Sequence, residues 1–247
     1  AFDAFPYPEL ADRVWHTWYV EGGKPEGKPY KCHPMVNHAL RHDVAELIVC
    51  SNFAEVWLAK QGHNGPIGIN YLEKIQTPRL PEILGAMIAE VDVVLMGAGI
   101  PHQVPGVLDR FAAYEPASYY LDVEGAGPRE FAVALDPASL VPERYVKRLR
   151  KPEFFAIAAT HVLAQYLSDP RRTTGRVDGF IMEGPTAGGH NARPRGRSTF
   201  NGRGEPVYGE KDIVDLGTMR ELRRPFWLAG SYAHPQKVTE ALAEGAA

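Results

Sequence analysis

Arg176–Gly196 reads RVDGFIMEGPTAGGHNARPRG, and its interpretation decides the fold. Val177–Met182 is a short apolar run between Gly175 and the Gly184-Pro185 pair. That length and punctuation suit a fully buried parallel strand better than a helix. Glu183-Gly184-Pro185-Thr186-Ala187-Gly188-Gly189-His190 follows. Glycines in such a loop let backbone approach a flat or phosphorylated ligand, because no Cβ intervenes. His190 then falls just past the C-terminal end of the strand, where barrels of parallel strands keep their chemistry. A tight turn with an incidental histidine is the competing reading, and the rest of the chain has to separate the two.

Strand-like and helix-like segments alternate on both sides of this stretch. Downstream, Phe226–Ala229 reads as a strand opening into Gly230-Ser231-Tyr232-Ala233-His234-Pro235, then a helix over 236–243. Upstream, Phe154–Ala159 is a strand leading through Thr160-His161 into a helix that includes Tyr166. Further back, 66–71 and 91–96 read as strands, and 81–90 and 104–113 as helices, with Pro81 in a tolerated first-turn position. Leu47-Ile48-Val49-Cys50 is a short strand-like run. Ser51-Asn52 after it are good N-cap residues for a helix over Phe53–Gln61 closed by Gly62. This rhythm predicts βα units on a parallel sheet.

It breaks once, over 116–136, where two alternating runs flank Gly125-Ala126-Gly127-Pro128; these predict a β-hairpin excursion. Residues 1–45 read as peripheral, with a helix from Pro8 through Trp15, Trp18 and Tyr19 and then a Gly- and Pro-rich loop. The expected architecture is one α/β domain over 1–247.

Composition narrows the function. A chain of 247 residues, 45% hydrophobic and 23% charged, can bury one sizeable core, and barrels of this size run as single domains. A net charge of −3 argues against nucleic acid as the partner. No apolar stretch approaches a membrane span, and no signal peptide stands at AFDAFPYPEL. Cys32 and Cys50 match neither a metal-ligand spacing nor a disulfide framework, which points to a reducing, cytoplasmic setting. His33, His38 and His42 have no repeating ligand pattern, so no metal is expected there.

Three segments together resemble the nitronate monooxygenase family (formerly 2-nitropropane dioxygenase), which is related to the flavin-dependent enoyl-acyl-carrier-protein reductases. Pro66-Ile67-Gly68-Ile69-Asn70 is similar to the family's third barrel strand, which ends in a flavin-contacting Asn. Gly184–His190 resembles its Gly-x-x-Ala-Gly-Gly-His loop, whose histidine is the catalytic base. Pro225–Ser231 resembles the Pro-x-x-x-Ala-Gly-Gly turn that holds the FMN phosphate, with Ser231 in place of the second Gly. The resemblance covers about residues 46–247. It implies a TIM-type (β/α) barrel whose first two strands and eighth strand have no counterpart here, so the barrel is expected to be incomplete at both termini.

What the resemblance implies for the site follows residue by residue. FMN is the cofactor, and Asn70 contacts its ring. Gly97 and Gly99 leave room beside the isoalloxazine, Gly188 and Gly189 belong to the histidine loop, and Gly230 and Ser231 hold the phosphate. His190 is the catalytic base, an imidazole able to take a proton from a neutral nitroalkane. His161 and His234 follow neighbouring strands and are expected to cap or pack rather than react. Glu183 is read as structural. Arg193, Arg195, Arg197 and Arg203 lie in a long loop that is either a solvated surface or a lid for an acidic substrate.

Three functional readings result. The first is an FMN-dependent nitronate monooxygenase, oxidising alkyl nitronates with O₂ to carbonyl compounds and nitrite. The second is an FMN- and NAD(P)H-dependent enoyl-thioester reductase, for which an acyl carrier protein is a partner. The third is a flavin-free structural or binding fragment. Both enzyme readings imply a small-molecule substrate.

Overall fold

The structure, a computed structural model, describes residues 1–30, 32–146, 149–189 and 192–247. In chain order the regular elements are α1 (Pro8–Trp18), α2 (His42–Ala59), β1 (Gly68–Leu72), α3 (Arg79–Ile88), β2 (Val93–Gly97), α4 (Val104–Ala112), β3 (Ala117–Tyr120), β4 (Ala132–Leu135), α5 (Pro137–Leu140), β5 (Glu153–Ala158), α6 (His161–Ser168), β6 (Gly179–Glu183), α7 (Leu216–Glu221), β7 (Phe226–Ala229) and α8 (Pro235–Ala243). They fall into two compact units. One comprises Ala1–Ile69, Ile75–Val93 and Gly106–Pro152, the other Asn70–Lys74, Val94–Pro105 and Glu153–Ala247.

The first unit is mainly helical. α2 and α3 form its centre, packing so closely that a Cβ on Gly85 would collide with the Val49 carbonyl. Val49, Phe53, Leu80, Ile83, Leu84 and Met87 are buried there, and Phe5 meets Phe53 edge-on with ring centroids 5.0 Å apart. α1 buries Leu10, Ala11 and Val14 and turns Trp15 and Tyr19 outward, stacked on each other. The hairpin forms as expected: β3 pairs antiparallel with β4, with Ala117 opposite Leu135 and Tyr120 opposite Ala132.

One expectation fails in this unit. Leu47-Ile48-Val49-Cys50 is not a strand but the middle of α2, and Ser51 and Asn52 do not cap a second helix. Their side chains donate backwards instead, Ser51 Oγ to the Leu47 carbonyl at 2.8 Å and Asn52 Nδ2 to the Ile48 carbonyl at 2.9 Å. A four-residue apolar run is equally compatible with a buried strand and a buried helix turn. Back-bonding to the carbonyl four residues earlier is how such polar side chains are accommodated inside a helix.

The sheet, with strand order β1-β2-β5-β6-β7, lies mostly in the second unit. β5, β6 and β7 are parallel, with Ala156 opposite Phe180 and Met182 opposite Leu228. At the β1–β2 pair, Ile67 O accepts from the Asp92 and Val93 amides and Gly97 O from the Glu73 amide. Partners advance together along both strands, so this pair is parallel as well. The chain is therefore an α/β fold on a parallel sheet, as the βα rhythm predicts. Phe154, Ala156, Ala158, Phe180, Met182 and Phe226 are buried along the sheet, and Ala164, Leu167 and Met219 come from α6 and α7. Gly179 is fixed by packing, because a Cβ there would lie 2.6 Å from the Phe155 ring.

The amino ends of two strands are tied by the same device. Asp92 Oδ2 accepts the Ile67 amide at 2.8 Å, and Asp178 Oδ2 accepts the Phe154 amide at 3.0 Å. In each case a carboxylate just ahead of one strand accepts an amide within one residue of the start of the strand before it. The carboxyl ends are left to loops.

Candidate functional site

Those loops enclose a cavity of about 520 Å³ at the carboxyl ends of β1, β2, β5 and β6. Its lining includes Asn70 from β1, Gly97 and Gly99 after β2, and Gly188 and Gly189 after β6. Those are five of the seven residues expected to hold the flavin. Leu72, Ile157 and Leu163 supply apolar wall, and Lys74, Glu183 and Arg193 supply charge. The volume lies within the roughly 300–1,000 Å³ typical of small-molecule sites.

The remaining two, Gly230 and Ser231, line a second, smaller hollow of about 260 Å³ together with Leu228, Tyr232, Lys237 and Glu240. The two hollows belong to neighbouring strands whose loops are pinned together. Gly184 N donates to Ala229 O at 2.9 Å, and a Cβ on Gly230 would stand 2.8 Å from Ala187 N. The loop after β6 thus lies directly on the turn after β7.

Backbone geometry marks both hollows. Ala98 (φ 57°) lines the first and Ser231 (φ 61°) the second, each in the left-handed region that side chains avoid. Such conformations cost of order 1–3 kcal/mol and gather at ligand sites. Gly230 is also left-handed, at φ 108°. Among the described residues the amides of Gly230 and Ser231 have no hydrogen-bond partner.

These features fit FMN in two respects. Cβ atoms built on Gly188 and Gly189 would meet nothing within 4 Å, so the space beside both residues belongs to the cavity. A flat ring could approach this backbone directly. Unpartnered amides at Gly230 and Ser231 are the donors that a phosphate requires. Opposing charge is present in the second hollow, where Glu240 is paired with Lys237 at 2.6 Å and Glu244 with Arg220 at 2.5 Å.

His190, the expected base, lies outside the described residues; its described neighbours Gly189 and Ala192 both line the cavity. The other two histidines take helix-end roles, as expected. His161 Nδ1 accepts the Asp215 amide at 3.1 Å, and His234 Nδ1 accepts the Gln236 amide at 3.3 Å as the N-cap of α8. Accepting through Nδ1 requires that nitrogen to be unprotonated, which suits a structural imidazole. Among the described residues no group of three or more His, Cys, Asp or Glu could hold a metal.

Lys74 and Glu73 carry no distinctive signal in the sequence, whereas Arg193 belongs to the loop arginines expected as a solvated surface or a lid for an acidic substrate. Lys74 and Arg193 bring cations to the cavity from loops distant in sequence. Glu73 is buried directly beside Gly99. Only its place one residue past a strand end could have flagged Glu73, and that signal is shared with many surface carboxylates.

The loop that carries Arg193 is ordered by a carboxylate. Asp212 Oδ2 accepts the Gly209 amide at 2.8 Å and its Oδ1 the Arg195 amide at 2.7 Å. Those two amides, Gly209 first, hold the Asp212 carboxyl below its ordinary value. Tyr208 Oη donates to Ala192 O at 2.9 Å. Arg193 is therefore flanked by two tethers.

No family model matches the chain, and no curated protein is similar to it. Among solved structures, FabK from Thermotoga maritima aligns with a TM-score of 0.42 at 18% identity, covering 84% of this chain and 45% of that one. A mutant of the same protein aligns with a TM-score of 0.44 at 17% identity, covering 98% and 55%. This chain spans about half the length of those structures. No helix among the described residues is long and apolar enough to cross a membrane.

Proposed function

We propose that this protein is an FMN-dependent oxidoreductase built on an arc of a (β/α) barrel, with the flavin ring in the larger cavity and its phosphate at Gly230–Ser231. One observation carries the reading. Asn70, Gly97, Gly99, Gly188 and Gly189, spread over more than a hundred residues and chosen from sequence, all line one cavity, and Gly230 and Ser231 line its neighbour. A flavin-free fragment gives no reason for that convergence.

FMN, when bound, supplies the two-electron chemistry, and the protein supplies binding, orientation and proton handling. Of the two reactions, enoyl-thioester reduction suits the cavity better. Apolar wall from Leu72, Ile157 and Leu163 suits an acyl chain and is more than a small nitronate needs. The net change transfers a hydride equivalent from a nicotinamide to the thioester β-carbon and a proton to its α-carbon. A saturated acyl thioester and the oxidised nicotinamide result. His190 is the proposed proton carrier at the α-carbon. Nitronate oxidation is supported by the Gly188-Gly189-His190 loop, where the same imidazole would take the α-proton of a neutral nitroalkane.

The test begins with FMN titrated into the purified chain and followed by quenching of flavin fluorescence. The loaded protein is then mixed, without oxygen, with NADPH or with an alkyl nitronate. Bleaching of the flavin's visible band by NADPH, followed by reoxidation with an enoyl thioester, is the expected result. Bleaching by the nitronate alone would transfer the assignment to the monooxygenase. A chain that does not quench flavin would remove both.

A further inference from the structure

We infer that Lys74 and Arg193 form an anion subsite in the larger cavity, separate from the turn at Gly230–Ser231, and that it takes a phosphomonoester carried by a substrate or co-substrate. The inference rests on reading this cavity as the flavin and substrate site.

Both cations line the cavity, and among the described residues neither makes an ion pair or a side-chain hydrogen bond. Exposed lysines and arginines are usually solvated, so exposure alone means little. What distinguishes these two is how they are presented. Lys74 follows Glu73, whose amide is fixed to Gly97 O at 2.9 Å and whose side chain is buried against Gly99. Arg193 is held between the Tyr208 Oη–Ala192 O bond and the Arg195 N–Asp212 Oδ1 bond. A tethered backbone reduces the ordering cost of binding a ligand.

Charge selects the ligand class. A carboxylate carries one negative charge and is matched by one cation. A phosphomonoester carries about −1.5 to −2 near neutral pH and presents several acceptor oxygens. An Arg fork and a Lys point charge are complementary ways to meet it. The cofactor's own phosphate has other donors, the unpartnered amides of Gly230 and Ser231. Glu183 shares this lining but already has a partner, so the two cations are left for a second phosphate.

The probe is phenyl phosphate, with phenol as the uncharged control, followed by ligand-observed NMR on the full chain with and without FMN. Phenyl phosphate should bind about tenfold more tightly than phenol and lose that advantage as salt rises. Lys74→Met and Arg193→Ala should each remove most of the preference, and Lys74→Arg should keep it. Displacement of the probe by coenzyme A, whose 3′-phosphate is a monoester, would place the phosphate on an acyl thioester, and displacement by 2′-AMP on a nicotinamide. Either result supports the subsite. Displacement by FMN itself, an undiminished preference in the variants, or equal binding of phenol and phenyl phosphate would overturn it. A chain that binds the probe but never FMN would refute the proposed function while leaving the phosphate preference measurable.

Discussion

A Cβ on Gly99 would lie 2.5 Å from Cγ of Glu73, the buried residue that follows β1. Gly99 lines the larger cavity, yet its contact with Glu73 is packing and leaves no room for a ligand on that side. Gly188, which lines the same cavity, has nothing within 4 Å of the corresponding position. Two glycines expected to serve one cofactor therefore do different work.

The difference is measurable. Gly99→Ala should lower stability by about 1–3 kcal/mol, the usual cost of forcing a methyl into a packed site. Gly188→Ala should leave stability within about 0.5 kcal/mol, because it meets no atom and Gly188 is not left-handed. Its new methyl occupies cavity space instead, so FMN affinity should fall by about tenfold. Urea unfolding with flavin-fluorescence titration separates the two. A Gly188→Ala variant that unfolds early but binds FMN normally would reverse the assignment.

Why the sequence revealed some of this and not the rest follows from range. β6 and β7 were legible because each is an apolar run stopped by glycine, and a parallel sheet buries such runs on both faces. The hairpin at β3–β4 was legible from alternation and turn residues. Leu47–Cys50 was misread because nothing within four residues distinguishes one turn of a buried helix from a strand, while α2 is settled by packing on α3. α7 went unseen because six residues that include Gly217 carry little periodicity; Asp215, accepting from the Gly217 and Thr218 amides, defines its start. The glycines that line the two hollows are marked by local motifs. Lys74 and Arg193 were not grouped, because their proximity to one cavity is a property of the sheet.

Asp92 offers a test at the opposite end of the strands. Burial works against its charge, but the Ile67 amide, Arg150 and Lys60 outweigh burial and hold the carboxyl below its ordinary value. A depressed carboxyl favours the folded state above the unfolded carboxylate range, and that advantage is lost as pH falls through the folded value. Asp92→Ala should therefore cost about 1–2 kcal/mol at neutral pH and less in acid, where the native protein has lost the same contribution. FMN affinity should not change, since Asp92 lines neither hollow. Parallel denaturation curves for the two proteins from neutral to acid pH, failing to converge, would show that the Ile67 amide is satisfied in another way.

Cysteine chemistry tests the first unit. Cys50 is buried in α2, and burial, with Glu46 adding to it, pushes its thiol up to about 12. Cys32 is exposed. Iodoacetamide should modify Cys32 in the native protein and reach Cys50 only after unfolding, because the thiolate is the nucleophile. The raised thiol also gives a pH dependence. The unfolded chain loses this proton near 9 and the folded chain near 12, so the contribution is intact below the lower value and is lost progressively between the two. Cys50→Ala should flatten the alkaline part of the stability profile. Mass spectrometry showing early labelling of Cys50 would contradict the burial of this face of α2.

The last prediction concerns which histidine moves the proton. His161 and His234 each use Nδ1 to accept a backbone amide at the start of a helix, which commits that nitrogen to a structural bond. His190 stands apart by its sequence position, after Gly188 and Gly189, which line the cavity without side chains. His190→Asn should retain FMN and lower the rate of the proton-dependent half-reaction by about 10²–10⁴, the range for a positioned acid or base. With an enoyl thioester as substrate, that loss should appear in reoxidation of the flavin and not in its reduction by the nicotinamide. With a neutral nitroalkane it should appear in flavin reduction and be smaller for the preformed nitronate, which has already lost the proton. His234→Ala should instead lower stability by about 0.5–2 kcal/mol through loss of the α8 cap, with catalysis per folded molecule unchanged. His161→Asn should likewise spare the chemical step. Normal turnover in His190→Asn together with its loss in His161→Asn would give the proton to the wrong histidine, and the assignment would fall.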